Sequence, residues 1–417
     1  MTQPRHPWLP LAALAALALR ASLGGDMREW PQFHGPRRDN KSTETGLLKR
    51  WPPGGPTRLW TYQGLGHGFS TVAIAGGLVY TTGNLGSETV ITALDLDGTL
   101  QWKAANGPAY KRAHRGTRST PTLDGDRLYH ENADGDLVCL DAATGKKIWG
   151  LNILKKFGGR NISWGLAESV LIDGKKLICT PGGPEIGIVA LDKTSGETLW
   201  TCKGIGQKPG YASPMLVDYK GLRQVVRFMA KSVVGVHADT GKLLWQVGHT
   251  TPYDESILTP LFHDGHIYFA TGHRRGSRLL KLKVDGQTCS AELVWSTDRL
   301  DNHHGGVILH QGYLYGFCHG NYKSGWECLE FRTGKLMHAE RTPSKGSTTY
   351  ADGLLYTMNE RGLVELVRPV PDRREVVSSF HLPKGGRGPT WAHLVVCGGR
   401  LYARHSEFLY CYDIKAK

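Results

Sequence analysis

The chain repeats one short string at a nearly constant interval, and this repeat constrains the fold more than any other feature. Each copy runs from a small residue through a turn ending in glycine to a tryptophan four positions later. The clear copies, such as CLDAATGKKIW and ALDKTSGETLW, end at Trp102, Trp149, Trp200 and Trp245, which are 45 to 51 residues apart. Because Asp and Gly permit the backbone conformations of tight hairpins, each copy predicts two antiparallel strands.

A second pair of short apolar runs around a Gly turn precedes each copy, for example TLDGDRLYHEN and LFHDGHIYFAT. Four strands per period without helical periodicity predict a β-propeller blade. Each tryptophan has a fixed offset from a turn, so we expect it to pack between blades. Eight outer strands are found, ending at or near Trp60, Trp102, Trp149, Trp200, Trp245, Trp295, His338 and Phe380.

The two ends of the repeat region complement each other. The final segment, AHLVVCGGRLYARHSEFLYCYDIKAK, supplies three strands, whereas TRLWTY at 57–62 is a strand without a blade of its own. Pairing these strands would remove the exposed sheet edges. The sequence therefore predicts an all-β, eight-bladed propeller over residues 57–417, closed by an N-terminal strand in the last blade.

The first 21 residues have the pattern of a secretory signal peptide. Arg5 precedes an apolar run from Trp8 to Leu19, which is shorter than the roughly 20 residues that cross a bilayer. No cysteine precedes Cys139, which excludes a lipoprotein. We expect a periplasmic or extracellular protein without a transmembrane span after cleavage, with a retained anchor as the alternative. Residues 22–56 are expected to pack on the ring as an extended segment, through Trp30, Phe33, Leu47, Leu48 and Trp51.

The net charge bears on the partners of the chain, and the cysteine positions bear on disulfide formation. The formal net charge is +14, but the basic residues are scattered and no nucleic-acid motif occurs, so we expect no nucleic acid and a possibly acidic partner. Cys139, Cys328 and Cys411 occupy a column of small residues, which favours packed core thiols. A disulfide between Cys318 and Cys328 is the alternative.

The AxDxxxGxxxW repeats resemble those of pyrroloquinoline-quinone-type (PQQ-like) propellers, over residues 57–417. That family contains quinoprotein alcohol dehydrogenases and the propeller lipoprotein of the outer-membrane β-barrel assembly machinery. The segments WPQFHGPRRDN, DNHHGG and GPTWAHLVVCGGRLYARH resemble an exported bacterial subfamily whose activity is mostly unassigned. The resemblance implies the fold and is nearly silent on chemistry.

For the dehydrogenases, the resemblance implies a quinone held between a tryptophan and a disulfide of adjacent cysteines, with Ca²⁺ on carboxylate and amide ligands. This chain has no adjacent cysteines and no CxxCH haem site. We therefore expect no cofactor, with PQQ and Ca²⁺ as the alternative. No GxSxG string is present, and no catalytic residue is assigned.

Long connections between blades are predicted to lie on one face, where a rigid ring would carry a binding site. Cationic and aromatic side chains precede the innermost strands in these connections and would suit an anionic or sugar-like ligand. The alternative is that they plug the channel and cap strands. The candidates are His114, Arg115, Trp164, Tyr211, Glu255, His303, His304, Lys345, Trp391 and His393, with His67 at the corresponding position of another blade.

Histidines near this face raise the question of a metal. His303 and His304 lie beside the loops that bear His273 and His319. Adjacent residues of an extended segment point to opposite sides, and the chain has no closed ligand spacing such as HxxxH. We expect no metal site, with a metal held by these histidines as the alternative.

These observations favour a non-catalytic, monomeric binding or scaffold module that recognises a ligand or an envelope protein through the long-loop face. The alternative is an enzyme that uses the same central mouth, in the first place an oxidoreductase of the quinoprotein type.

Overall fold

The computed structural model describes residues 29–319 and 324–416, which form eight four-stranded antiparallel sheets arranged as a β-propeller. The first strand of each blade is innermost. Blades 1 to 4 comprise β2 (Ala73–Ala75), β3 (Leu78–Leu85), β4 (Glu88–Asp95), β5 (Leu100–Pro108); β6 (Thr122–Asp124), β7 (Arg127–Glu131), β8 (Asp136–Asp141), β9 (Lys147–Asn152); β10 (Leu171–Asp173), β11 (Lys176–Cys179), β12 (Ile186–Asp192), β13 (Thr198–Lys203); and β14 (Met215–Tyr219), β15 (Leu222–Phe228), β16 (Ser232–His237), β17 (Leu243–Gly248).

The remaining blades follow the same order. Blades 5 to 8 comprise β18 (Leu261–His263), β19 (His266–Thr271), β20 (Gly276–Asp285), β21 (Thr288–Thr297); β22 (Val307–His310), β23 (Tyr313–Cys318), β24 (Gly325–Glu330), β25 (Leu336–Arg341); β26 (Gly346–Ala351), β27 (Leu354–Asn359), β28 (Leu363–Arg368), β29 (Glu375–His381); and β30 (Val395–Cys397), β31 (Arg400–His405), β32 (Phe408–Asp413), β1 (Arg58–Gln63). One short α-helix, α1 (Ile153–Phe157), lies between blades 2 and 3. Among the described residues, no helix is long and apolar enough to span a membrane.

Blade 8 closes the ring by joining the two ends of the chain. Its outermost strand, β1, pairs antiparallel with β32, and Trp60 lies opposite Cys411. Both the eight-bladed fold and its closure by an N-terminal strand are therefore confirmed.

The repeat tryptophans connect each blade to the next, as the sequence predicts. The indole Nε1 of Trp200 donates to the Ala238 carbonyl at 3.1 Å, across the interface between blades 3 and 4. A Cβ on Gly241 would lie 2.6 Å from the same indole, and φ there is +73°. Only glycine fits this position, which explains why the repeat couples a turn glycine to a tryptophan. Corresponding Trp–Gly pairs are Trp60 with Gly98, Trp102 with Gly145, Trp149 with Gly196 and Trp295 with Gly334.

Three interfaces depart from this arrangement, one of them because His338 takes the tryptophan position in blade 6. Trp245 donates to Gln224 of its own blade at 2.7 Å, because the longer β20–β21 hairpin of blade 5 places no turn glycine against it. Phe380 replaces tryptophan in blade 7 and packs on Gly55, where a Cβ would lie 2.5 Å from the ring. In blade 8 the two outer strands, β32 and β1, come from opposite ends of the chain, so no hairpin turn joins them. The N-terminal segment therefore supplies the glycine at this interface.

Residues 29–57 lie against the ring. Trp30 is 2% exposed and bridges to Ile74, and Leu47 and Trp51 join the apolar cluster shared by blades 7 and 8. The predicted signal peptide at 1–21 lies outside the described residues.

Arg38 anchors this segment in the central channel. The residue is 3% exposed, and its guanidinium donates to the carbonyls of Ser169 and Pro214, both at 2.9 Å, and of Val170. Burial lowers the pKa of Arg38 to about 9. Asn40 donates to the Thr348 carbonyl at 2.6 Å, on the innermost strand of blade 7. The segment therefore crosses the channel from blades 3 and 4 to blade 7.

The cysteine column is a set of core thiols, as predicted. Cys139, Cys328 and Cys411 are buried free thiols on the third strands of their blades. Cys318 is also a free thiol and faces Gly325, whereas Cys328 faces Tyr315, so the alternative disulfide does not form.

Acid should weaken the fold through His130. This residue is buried in β7, where its Nδ1 accepts a hydrogen bond from Asn106 at 2.9 Å, and burial lowers its pKa to about 3. An unfolded histidine titrates near 6.5, so the unfolded chain binds more protons below that pH. The stabilisation is complete above about pH 6.5 and falls as pH drops, by about 2 to 3 kcal/mol near pH 4.5.

We expect His130→Gln to flatten the dependence of unfolding free energy on pH between about 6.5 and 4.5, measured by urea titration. His381→Gln, at an exposed position of β29, is the control and should retain the wild-type slope. Equal slopes for the two variants would show that His130 does not carry this effect.

Candidate functional site

A cavity opens on the propeller axis at the face that carries the long interblade connections. It encloses about 160 Å³ and opens into a wider space of about 980 Å³ that includes solvent at its mouth. Seven of the eight connections that precede an innermost strand contribute to its wall, and residues of the N-terminal segment complete it. Its lining side chains are mainly aromatic, histidine, aliphatic and hydroxyl groups. The predicted face and the cavity therefore coincide.

Most of the candidate residues meet in this cavity. Arg115 does not, because it is exposed and borders a separate surface depression with His67. Lys345 stands behind the wall, where its Nζ lies 3.2 Å from His303 Nδ1. The candidates that line the cavity are His114, Trp164, Tyr211, Glu255, His303, His304, Trp391 and His393.

Sequence reasoning missed residues that contribute equally to the cavity. Phe33 and His34 of the N-terminal segment line it and stack on one another, with ring centroids 3.9 Å apart. Phe69 and Arg118 also line it, and the Arg118 guanidinium lies over the Tyr110 ring at 5.1 Å. The string WPQFHGP, with two adjacent aromatic residues, was the available signal for the first pair.

Aromatic side chains form a closed circle around the mouth, which we call the aromatic collar. Neighbouring ring centroids around the circle are 5.2 to 6.4 Å apart, within the range of favourable aromatic contacts for most pairs. Tyr253 projects furthest into solvent and is 67% exposed. In order, the members are Trp391, His114, Trp164, Tyr253, His273, His303 and His304.

Three histidines of the cavity, His34, His304 and His393, are held in their neutral form. Burial lowers the pKa of His393 to about 4 and lowers the pKa of His34 and His304 well below the usual value. His34 Nε2 and His393 Nδ1 are 3.1 Å apart, and His393 Nε2 donates to the His304 carbonyl at 2.7 Å. At neutral pH these imidazoles are hydrogen-bonding groups without charge.

Glu255 is the carboxylate of the cavity wall. Burial opposes its ionisation, but hydrogen bonds from His303 and His273 outweigh burial and lower the pKa of Glu255 to about 2. His303 Nε2 donates to Glu255 Oε2 at 3.0 Å, and His273 Nε2 donates to the same oxygen. The side chain is therefore an anion that two histidines hold in place.

His273, His303 and His319 form a cluster beside Glu255. Each offers one ring nitrogen, and these nitrogens lie within 4.8 Å of one another. The His303 and His319 rings are stacked with centroids 4.5 Å apart. Lys345 Nζ donates to Nδ1 of His319 at 3.0 Å and to Nδ1 of His303. The three histidines come from two loops of blade 6 and one hairpin of blade 5.

The family model for outer membrane protein assembly factor BamB matches residues 54–180 and 87–341. The chain belongs to this PQQ-like propeller family. BamB from Moraxella catarrhalis has a similar structure, with a TM-score of 0.58 and 15% identity over 87% of this chain and 98% of that chain. The quinohemoprotein alcohol dehydrogenase of Comamonas testosteroni is also similar in structure, with a TM-score of 0.62 and 14% identity. The match covers 94% of this chain and 81% of that chain.

In sequence, the quinoprotein alcohol dehydrogenase PedH of Pseudomonas putida is 26% identical over 157 residues. The match covers 36% of this chain and 25% of that protein. The chain thus spans about a quarter of the length of this curated relative. The similarity to the solved structures shows that this chain has the same fold as they have.

The cavity does not have the donor set that PQQ and Ca²⁺ would require. Ca²⁺ takes about six to eight oxygen ligands in proteins. Among the described residues that line the cavity, Glu255 is the single carboxylate, and no side-chain amide is present. The eight cysteines are buried, and none adjoins another in sequence. These residues do not fit the cofactor.

Proposed function

We propose that this protein is an exported, non-catalytic binding protein that holds a sugar acid in its axial cavity. The observation that carries the proposal is the aromatic collar around an open cavity on a rigid ring. Aromatic faces stack on the apolar face of a sugar ring, and fixed polar groups orient its hydroxyls. The cavity encloses about 160 Å³ and widens into solvent at the collar, so it suits a small ligand such as a single sugar unit.

The cations beside the cavity, rather than the Glu255 carboxylate, would meet an anionic ligand. Arg118 lines the cavity and is fixed by hydrogen bonds to the carbonyls of His114 at 2.7 Å and Gly116 at 3.2 Å. Lys345 adds a second cation behind His303. The neutral imidazoles of His34, His304 and His393 suit hydroxyl groups, which donate and accept hydrogen bonds.

Family membership supports the remaining parts of the proposal. BamB is described as an outer membrane protein assembly factor, which favours an envelope location for this chain as well. The same relationship favours a protein partner in the envelope. The net charge of +14 would steer an acidic partner in a salt-dependent way.

Removing a collar tryptophan should abolish most ligand binding and leave the fold intact. We expect Trp391→Ala and Trp164→Ala each to weaken binding of a sugar acid by about tenfold or more, because each loses a stacking face. Both side chains are only partly buried, so thermal stability should change little. The measurement is calorimetric titration with uronic acids, neutral sugars and aromatic acids, with His381→Ala as the control.

The opposite pattern would contradict the proposal: no member of this panel binds, and the tryptophan variants unfold more easily, as expected of side chains that merely close the channel. Oxidation of an alcohol or sugar after addition of PQQ and Ca²⁺, measured with an electron-accepting dye, would instead support the oxidoreductase alternative.

A further inference from the structure

The histidine cluster of blades 5 and 6 has a supporting structure of its own. Asp301 is 5% exposed, and its carboxylate accepts hydrogen bonds from the backbone N–H of His319 at 3.1 Å and of Arg274 at 3.1 Å. It therefore ties the loops that bear His319 and His273 to the loop that bears His303. Three separate segments are held together at one point.

Glycine at position 272 makes room for the rings. A Cβ at Gly272 would lie 3.1 Å from Cδ2 of His303 and 3.1 Å from Cδ2 of His319, closer than most side-chain contacts. Glu255 meanwhile accepts from His273 and His303 and fixes the orientation of both rings. Carboxylates that orient histidines in this way are usual around protein metal ions.

We propose that His273, His303 and His319 bind one divalent transition-metal ion of the zinc class. Three imidazoles favour zinc and its neighbours in the first transition series over Ca²⁺ or Mg²⁺, which prefer oxygen ligands. The negative charge of Glu255 offsets part of the charge of the ion. This inference goes beyond the proposed function, because it concerns a site in the wall of the cavity and needs no organic ligand.

Binding of an ion would require the three rings to approach one another. Zinc–nitrogen bonds of about 2.0 to 2.1 Å in a tetrahedral site place ligand nitrogens about 3.3 Å apart. The nitrogens of this cluster lie within 4.8 Å of one another, and all three rings are partly exposed. Because the His303 and His319 rings are stacked, at least one of them must also rotate for its nitrogen to face the ion.

Lys345 should oppose metal binding. Its ammonium donates to Nδ1 of both His303 and His319 and competes with a cation for the same face of the cluster. The long side chain can move towards Glu360, whose Oε1 lies 3.8 Å from its Nζ. Its removal is therefore expected to strengthen the site, an effect that a purely structural cluster would not show.

The test is calorimetric titration of untagged, chelator-treated protein with zinc chloride. The wild type should bind one ion per chain. We expect His273→Gln and His319→Gln each to weaken binding by more than about 100-fold, since loss of an outer-shell partner alone costs roughly 10- to 100-fold. Lys345→Met should bind zinc more tightly than the wild type, and His381→Gln, outside the cluster, should match the wild type.

A second measurement keeps the test independent of the folding of the variants. Cobalt chloride added to the wild type should give the intense visible absorption of a tetrahedral site, and zinc should remove it. Weak octahedral absorption, absence of saturable zinc binding, or wild-type affinity in His319→Gln would each overturn the proposal. Sugar acids are absent from these experiments. A negative result with zinc or cobalt would therefore not contradict the proposed sugar-acid binding.

Discussion

A chain that begins at Gly64 should lose the closed ring, whereas a chain that begins at Thr57 should keep it. The two truncations differ by β1 (Arg58–Gln63), which gives β32 its outer neighbour. Without β1, the edge of β32 is exposed and Trp60 no longer donates to the Leu96 carbonyl of blade 1 at 2.8 Å. We expect aggregation in size-exclusion chromatography and a large loss of melting temperature.

The chain that begins at Thr57 is the matched control, because both chains lack the segment that packs across the channel. A monomeric protein beginning at Gly64, with the melting temperature of the one beginning at Thr57, would show that pairing of β1 with β32 is not what holds the ring closed.

Trp200→Ala should cost about 3 to 5 kcal/mol of unfolding free energy. The indole is 8% exposed, covers Gly241 and donates to Ala238 of the next blade. Its neighbour Leu199 lies on the same strand but is 40% exposed. Leu199→Ala is therefore the control, with an expected cost within about 1 kcal/mol. Urea titration of both variants measures the difference.

A loss below about 1 kcal/mol for Trp200→Ala would mean that the repeat tryptophan does not hold neighbouring blades together. Trp149→Ala should lose an amount of unfolding free energy between those of Trp200→Ala and Leu199→Ala. Its indole makes the corresponding hydrogen bond, to the Lys193 carbonyl at 3.0 Å, but is less completely buried.

The repeat made most of the fold predictable. A turn glycine and a tryptophan recurring at one offset define the blade, and one unmatched strand at the start with three strands at the end defines the closure. The role of Gly55 was not predictable, because its partner Phe380 is far away in sequence and the usual turn glycine is missing from that blade. The spacing of the repeat does not indicate which residues a position outside the repeat will contact in the fold.

The site was predictable only in part, for a related reason. Aligned blades place the residues before each innermost strand near the axis, which correctly located Trp164 and Trp391 in the cavity. The direction of a single side chain within an irregular loop does not follow from alignment, so Arg115 was included and Tyr253 was missed. Tyr253 has φ of +61°, a conformation that loop sequence alone does not indicate.

The burial of Arg38 was also not predictable from the sequence. An arginine in a turn-rich segment usually lies on the surface. Here carbonyl groups at the start of the innermost strands of blades 3 and 4 converge on the axis and accept its hydrogen bonds. That convergence exists only once the ring has closed.

The N-terminal segment across the channel has a kinetic consequence. Phe33 and His34 line the cavity and Arg38 is held in the channel by carbonyls of blades 3 and 4, so the N-terminal segment obstructs the channel and we expect a ligand to enter and leave through the collar. Arrival and departure share this opening, so two ligands compete for it and transit from one side of the ring to the other is prevented. Motion of Tyr253, Trp164 and Trp391 would then set the residence time of whatever is bound.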